Sequence, residues 1–213
     1  MRLGLNTFLL VSPFTDDSTN IFKQVKRWGF ETVELPIEDP SHIDPAHVRA
    51  ELDKAGLACG SVCACMGPDR DLRGSVEQQK TGITYLKALI DQMVVLGCPS
   101  LIGPVYSAVG RADAYTEKEK ARHWKAVVRN LKKVCAYAEK KGVQICLEPL
   151  NRFETDFINT CDQGLKMLKD VDSPVLKLHL DTFHMNIEEK NQAKAIKKAG
   201  KKFIVGDTGA GYA

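Results

Sequence analysis

Residues Gln144–Phe157 read QICLEPLNRFETDF. The stretch opens as an apolar strand and then sets two glutamates, an asparagine and an arginine within a few residues of one another. Alternation along a strand puts Val143, Ile145 and Leu147 on one face and Gln144, Cys146 and Glu148 on the other. In a parallel barrel one parity packs against the surrounding helices and the other points inward, and polar groups collect where the strands end, at the carboxyl face. Glu148 therefore belongs on the inner rim. Val175–Asp181, VLKLHLD, repeats the arrangement: Leu176, Leu178 and Leu180 face outward, Lys177, His179 and Asp181 face inward, and Asp181 comes last.

Outward from these two segments the chain alternates short Val/Ile/Leu-rich runs with longer stretches of helical period, the pattern of a parallel sheet wrapped by helices. RLGLN, ETVELP, LACGSVCAC, SLIGPV, VQICLE, VLKLHLD and KFIVGD are the expected strands. Helices are expected from Thr19 or Asn20 to Trp28, from Asp44 with Pro45 in the first turn to Gly56, from Ser75 to Gly97, from Thr116 to Gly142, from Thr160 to Lys169 and across Ile187–Ala199. Six strand-helix units of roughly 33 residues each fill about 200 residues, whereas eight would want about 250. The expected fold is thus a single α/β domain over residues 1–213, a TIM-type barrel of about six and a half units that lacks the end of unit seven and unit eight.

Two carboxylates at one level on neighbouring strands resist joint ionisation. A divalent cation between them resolves the conflict, and carboxylate oxygens favour hard ions such as Mg²⁺ or Mn²⁺. A salt-bridged rim, with Glu148 paired to Arg152 or Lys177, resolves it as well.

The bulk properties narrow the class. With 30 basic and 27 acidic residues the net charge of +3 gives little attraction to a polyanion. The lysine clusters 132, 133, 140, 141 and 197, 198, 201, 202 carry no interleaved aromatics and read as solvated helix faces, so no nucleic-acid partner is expected. Seven cysteines, an odd count without scaffold spacing, suit a reducing compartment. Cys63 and Cys65 share a strand face but lack the companions of a soft-metal site and read as core. No apolar run has the length of a signal peptide or membrane span, and a cytoplasmic location without membrane contact is expected.

The segments LEPLNRFETDFINT (147–160) and LHLDTFHMNIEE (178–189), together with GFETVELP (29–36) and PVYSAVG (104–110), resemble the ketose 3-epimerases, the D-tagatose and D-allulose 3-epimerase family within the xylose-isomerase-like barrels. The likeness runs through nearly the whole chain. It implies a metal-dependent epimerase of a free ketose, using Mn²⁺ or else Mg²⁺ or Co²⁺; a homo-oligomer is expected separately, from the open sheet edges. It also implies that Glu148 and Asp181 ligate the metal, that Glu148 serves as an acid/base, and that Glu154 and His184 contact the sugar oxygens. The family's third ligand, a histidine on strand seven, aligns with Asp207 in GDTG, which is expected either to serve as the third ligand, since an aspartate can bind Mn²⁺ or Mg²⁺, or to be an accidental residue without a part in the site. The family's second glutamate, on strand eight, has no counterpart before residue 213, so a folded but non-catalytic paralogue is the competing expectation. An abasic-site nuclease on a related barrel is disfavoured by only five histidines and the near-balanced charge.

Other polar residues carry plainer expectations. His42, His47 and His123 read as solvent-facing or capping residues. His179, below Asp181, reads as a buried support for a ligand carboxylate. Glu34 is expected either to orient a site residue or to form a salt bridge, and Tyr106 and Phe8 to wall a pocket or cover the barrel top. Unpaired sheet edges predict self-association or poor solubility.

Overall fold

The computed structural model describes residues 2–113 and 115–207, the last five as backbone only. Seven strands, β1 (Gly4–Asn6), β2 (Thr32–Ile37), β3 (Ala58–Ala64), β4 (Ser100–Gly103), β5 (Gln144–Leu147), β6 (Leu176–Asp181) and β7 (Phe203–Asp207), form one sheet in sequential order with every pairing parallel. Helices α1 (Phe22–Arg27), α2 (Pro45–Ala55), α3 (Val76–Leu96), α4 (Glu117–Lys141) and α5 (Cys161–Val171) connect successive strands. Two short helices, α6 (Thr182–Glu188) and α7 (Gln192–Ala199), lie between β6 and β7.

Local chemistry sets the boundaries. Ser75 and Thr116 each accept a backbone N–H from the third helical residue, Gln78 and Glu119, whose side chains return the bond, so both long helices open on capping boxes. They close on Gly97 and Gly142 at φ 66° and 72°, where a side chain would be strained.

Two expectations change. The chain segment 187–199 is not one helix: Asp181 caps α6 directly after β6, Glu189 leaves helical geometry, and Asn191 caps a second start. The first connection is a 3₁₀ stretch over Asp16–Ile21 leading into a six-residue α1, later than the Thr19 or Asn20 start.

The parity reading describes the layers. Val33, Leu35, Val62, Leu101, Ile145, Leu147, Leu176, Leu178 and Leu180 join the helices in the main core. Cys63, Ile102 and Cys146 form a separate small cluster on the opposite face. Inward residues of six strands or their tips, from Asn6 and Glu34 through Cys63 and Ile102 to Glu148 and His179, line a single cavity of about 750 Å³. A sheet can wrap one cavity this way only by curling, which is the geometry of a TIM-type barrel. Cys63 and Ile102 of the inner cluster line that cavity together with residues of the loops after the strands, such as Met66 and Leu150.

Candidate active site

Glu148 stands one residue past β5, yet its N–H still donates to the Gly103 carbonyl at 3.0 Å, so sheet pairing fixes it at the rim. Tyr106 secures the same corner from below. It is fully buried, with its hydroxyl 3.0 Å from the Glu148 carbonyl and 3.1 Å from that of Ile158. It therefore holds up the rim and does not wall the cavity, whereas Phe8 does line it.

Asp181 ends β6 and begins α6 in the same residue. Its Oδ1 accepts the Phe183 N–H at 2.7 Å, the usual work of an aspartate at a helix start, while Oδ2 turns to the cavity, 3.6 Å from His184 Nε2. His184, three residues on, lies on the same helix face as the cap. Glu148 Oε1 is 3.8 Å from His184 Nε2 and 3.5 Å from His179 Nδ1. One ligand atom each from Glu148, Asp181 and His184 fall within 4.8 Å of one another, and all three residues are buried.

Charge is managed within this group. Burial pushes the Glu148 carboxyl up, but the imidazoles of His179 and then His184 pull harder, and its pKa is held below the ordinary carboxylate value. Neither Arg152 nor Lys177 supplies the counter-charge: Arg152 reaches outward to form a two-pronged pair with Glu188 at 2.8 and 3.0 Å. The salt-bridged rim is thus replaced by a histidine-supported one.

Asn151 organises the remaining polar groups, and the sequence reading gave it no role. Its backbone N–H donates to His184 Nδ1 at 3.2 Å, its Nδ2 donates to Glu154 Oε1 at 2.7 Å, and its Oδ1 accepts the Phe153 N–H at 2.9 Å. The last bond is an Asx-turn, and an asparagine just after a strand end was its available signal. Because Nδ1 of His184 receives a backbone donor, the neutral ring carries its proton on Nε2 and presents it to the cavity. Glu154, partly exposed, sits 4.0 Å from His184 Nδ1.

Donor chemistry suits a divalent cation. Glu148 and Asp181 offer hard oxygens at adjacent strand tips, whereas His184 Nε2 is occupied by its proton and acts as a donor. Asp207 is the register partner of Asp181 in the neighbouring strand; its side chain lies outside the described residues.

Glu34 lines the same cavity and accepts the Ser61 hydroxyl at 2.5 Å. Cys63 and Cys65 also face the cavity, and among the described residues no cysteine joins the acid and histidine cluster. His42 and His47 are exposed, as expected. His123 is not: it is buried on the stripe of α4 that also carries Val127, Asn130 and Leu131, edge-on to the Tyr115 ring at 4.5 Å. The spacing to Val127 was the signal that placed it inside.

Comparison with known proteins gives a consistent result. The family described as the xylose isomerase-like TIM barrel matches residues 22–206. A probable ketose 3-epimerase of Synechocystis sp. is 32% identical over 204 residues, covering 93% of this chain and 69% of that protein. An L-ribulose 3-epimerase of Methylomonas sp. is 31% identical over 189 residues, covering 87% of this chain and 65% of that protein. The solved D-allulose 3-epimerase from Methylomonas sp., in complex with D-allulose, superposes with a TM-score of 0.90 at 27% identity, covering 97% of this chain and 71% of the other. The chain thus spans about two thirds of these relatives' lengths.

Proposed function

The chain belongs to the xylose isomerase-like TIM barrel family, among the ketose 3-epimerases, and on that premise we propose that it epimerises a free ketose at C3 with the help of a divalent metal. The observation that carries the reading is the buried group of Glu148, Asp181 and His184, whose ligand atoms converge within 4.8 Å where the strand tips line a cavity large enough for a sugar.

Glu148 and Asp181 would hold the ion, Mn²⁺ before Mg²⁺ or Co²⁺, with Asp207 as the proposed third ligand. A bound cation supplies positive charge beside a ketose carbonyl and so makes the proton on the adjacent carbon more acidic. The protein side chains do the rest. Glu148, kept ionised by His179, is the base that takes the C3 proton from one face of the sugar; inversion needs a proton returned to C3 from the opposite face, the part the resemblance gives to the family's strand-eight glutamate, which has no counterpart among the described residues. His184 donates its Nε2 proton to a sugar oxygen, and its ring cannot turn because Asn151 holds the other nitrogen. Glu154 accepts a sugar hydroxyl, its own position fixed by the Asn151 amide. The walls built from Phe8, Met66, Ile102 and Leu150 exclude water from the exposed carbanion-like centre.

We also propose a homo-oligomer, since β1 and β7 stand at the two ends of the described sheet, and a cytoplasmic location. Among the described residues no helix is long and apolar enough to cross a membrane.

The test is solvent exchange. D-fructose, D-tagatose, D-allulose and D-ribulose are incubated with the protein and Mn²⁺ in deuterated water and followed by NMR. Deuterium should enter C3 and a C3-inverted ketose should accumulate, both being lost in Glu148→Gln. Deuterium entering C1, with aldose as product, would instead mean aldose-ketose isomerisation. No exchange with any ketose under Mn²⁺, Mg²⁺ or Co²⁺ would refute the enzymatic reading.

A further inference from the structure

Arg73 lies in the loop after β3, in the stretch MGPDRDLRG, and is 3% exposed. A buried guanidinium needs acceptors for its fork of donors, and this one finds them on two other loops. Nε donates to Ser107 Oγ at 2.9 Å and Nη2 to the Arg111 carbonyl at 3.0 Å, both in the loop after β4. Nη1 pairs with Asp156 Oδ1 at 2.5 Å in the loop after β5. The Phe157 ring lies 5.1 Å from the guanidinium carbon. Beside it, Asp71 is buried and pairs with Arg111 Nη1 at 2.8 Å, and Arg111 Nε reaches Asp113 at 3.3 Å, so two arginines are met by three aspartates.

The two loops joined by Arg73 also bond to each other at the residues that matter for the cavity. Gly110 N–H donates to the Glu154 carbonyl at 2.7 Å, Asp156 N–H donates to the Arg111 carbonyl at 3.2 Å, and Arg111 and Thr155 form an isolated parallel bridge. Glu154 in turn is bonded to Asn151, and Asn151 to His184. Glu148 and Asp181 are held differently, by sheet pairing and by a helix cap.

We propose that Arg73 is a positioning residue for sugar recognition: by fastening three loops at the cavity mouth it sets where Glu154 and Asn151 stand, while leaving the metal-holding carboxylates to the strands. The assignment rests on the reading of the site as a ketose site. It makes sugar contact and metal binding separable, because a shift of the loop after β5 moves Glu154 without moving β5 or β6.

Arg73→Lys is the discriminating variant, since it keeps the positive charge opposite Asp156 but cannot reach three loops; Asp156→Ala removes the same link from the other side. Three quantities are measured: Mn²⁺ affinity by calorimetry, KM and kcat for the ketose the wild type turns over, and amide exchange by residue. Both variants should bind Mn²⁺ as the wild type does and lose about tenfold to a hundredfold in kcat/KM, the scale of a misplacement of about 1 Å, with KM rising. Amide exchange should quicken across residues 150–157 and remain slow in β4, β5 and β6. Unchanged kinetics with unchanged exchange in residues 150–157 would overturn the proposal. So would a joint loss of Mn²⁺ binding and of exchange protection throughout the sheet, which would make Arg73 a general stabiliser. A wild type that turns over no ketose would refute the functional reading above, and the exchange pattern would still decide the role of Arg73.

Discussion

Asp181→Asn should do opposite things to the protein with and without metal. In the metal-free protein Glu148 and Asp181 bring like charges to within 4.8 Å in a buried setting. At an effective dielectric of about 20 that separation corresponds to about 3.5 kcal/mol of repulsion, of which His179 and His184 offset a part. Asparagine removes the charge but keeps an oxygen able to accept the Phe183 N–H, so α6 stays capped. With roughly 1 to 2 kcal/mol of repulsion relieved, and about 2 to 4 °C per kcal/mol for a domain of this size, the variant's Tm should rise by roughly 2 to 8 °C. Saturating metal reverses the order. At a hundred times Kd a ligand stabilises by about 2.7 kcal/mol, so the wild type should gain roughly 5 to 11 °C in Mn²⁺ and the variant almost nothing. Differential scanning fluorimetry after chelation, then with titrated Mn²⁺, reads both halves. If Asp181→Asn melts below the wild type without metal, or if Mn²⁺ leaves the wild-type Tm unmoved, the account of two mutually repelling buried acids that can bind a cation is wrong.

Three further outcomes follow from separate features. Asn151→Ala strips the amide donor from Glu154 and should raise KM with a loss of about 1.5 to 3 kcal/mol in kcat/KM, the range for a hydrogen bond to a charged group; steady-state kinetics unchanged from wild type would remove Glu154 from the sugar's contacts. Gly103→Ala places a side chain at φ 114° with its Cβ 3.0 Å from the Ala64 carbonyl, at the residue whose own carbonyl receives Glu148 N–H, and should lower the unfolding free energy by about 1 to 3 kcal/mol in a urea titration. A native midpoint there would mean the strand tip is looser than drawn. Burial holds the His123 pKa below its ordinary 6.5, with Arg111, Arg73 and Arg122 adding to the effect. Below that pH the unfolded chain takes a proton the folded one refuses, so stability present in full above about 6.5 falls with decreasing pH until the folded value is passed. His123→Leu should flatten the part of that slope due to this ring, seen as a smaller loss of urea midpoint between pH 7 and pH 5 than in the wild type.

What could be foreseen was governed by how local the determinant is. Strand parity, the two long helices and the carboxylate tips of β5 and β6 depend on neighbours within a few residues, and each is written in short patterns such as Thr116 with Glu119 or the alternation up to Asp181. The burial of His123 was equally local in origin, since it stands four residues before Val127 on the apolar stripe of α4, but its polarity drew the assignment outward. Tyr106 misled in a similar way: its place after a strand end suggested the rim, yet its ring goes down under Glu148 to satisfy two carbonyls. The group of Asp71, Arg73, Ser107, Arg111 and Asp156 had no such local trace. Its members are scattered over three loops, each an ordinary polar residue in an ordinary turn, and only tertiary closure turns them into a paired set around the buried Arg73 and Asp71.

Asp181 divides its two oxygens between a helix and a cavity, and that division gears one motion to another. On the proposed reading, a twist of the carboxylate that tightened its hold on a cation would loosen the first turn of α6, and His184 rides on that turn. Grip on the ion would then be tied to the aim of His184 through a single side-chain torsion, while Glu154, on the loop after β5, would stay independent of it. An engineer seeking a different ketose would gain little by altering either residue alone; the productive change is in the loop and helix that set the angle between them.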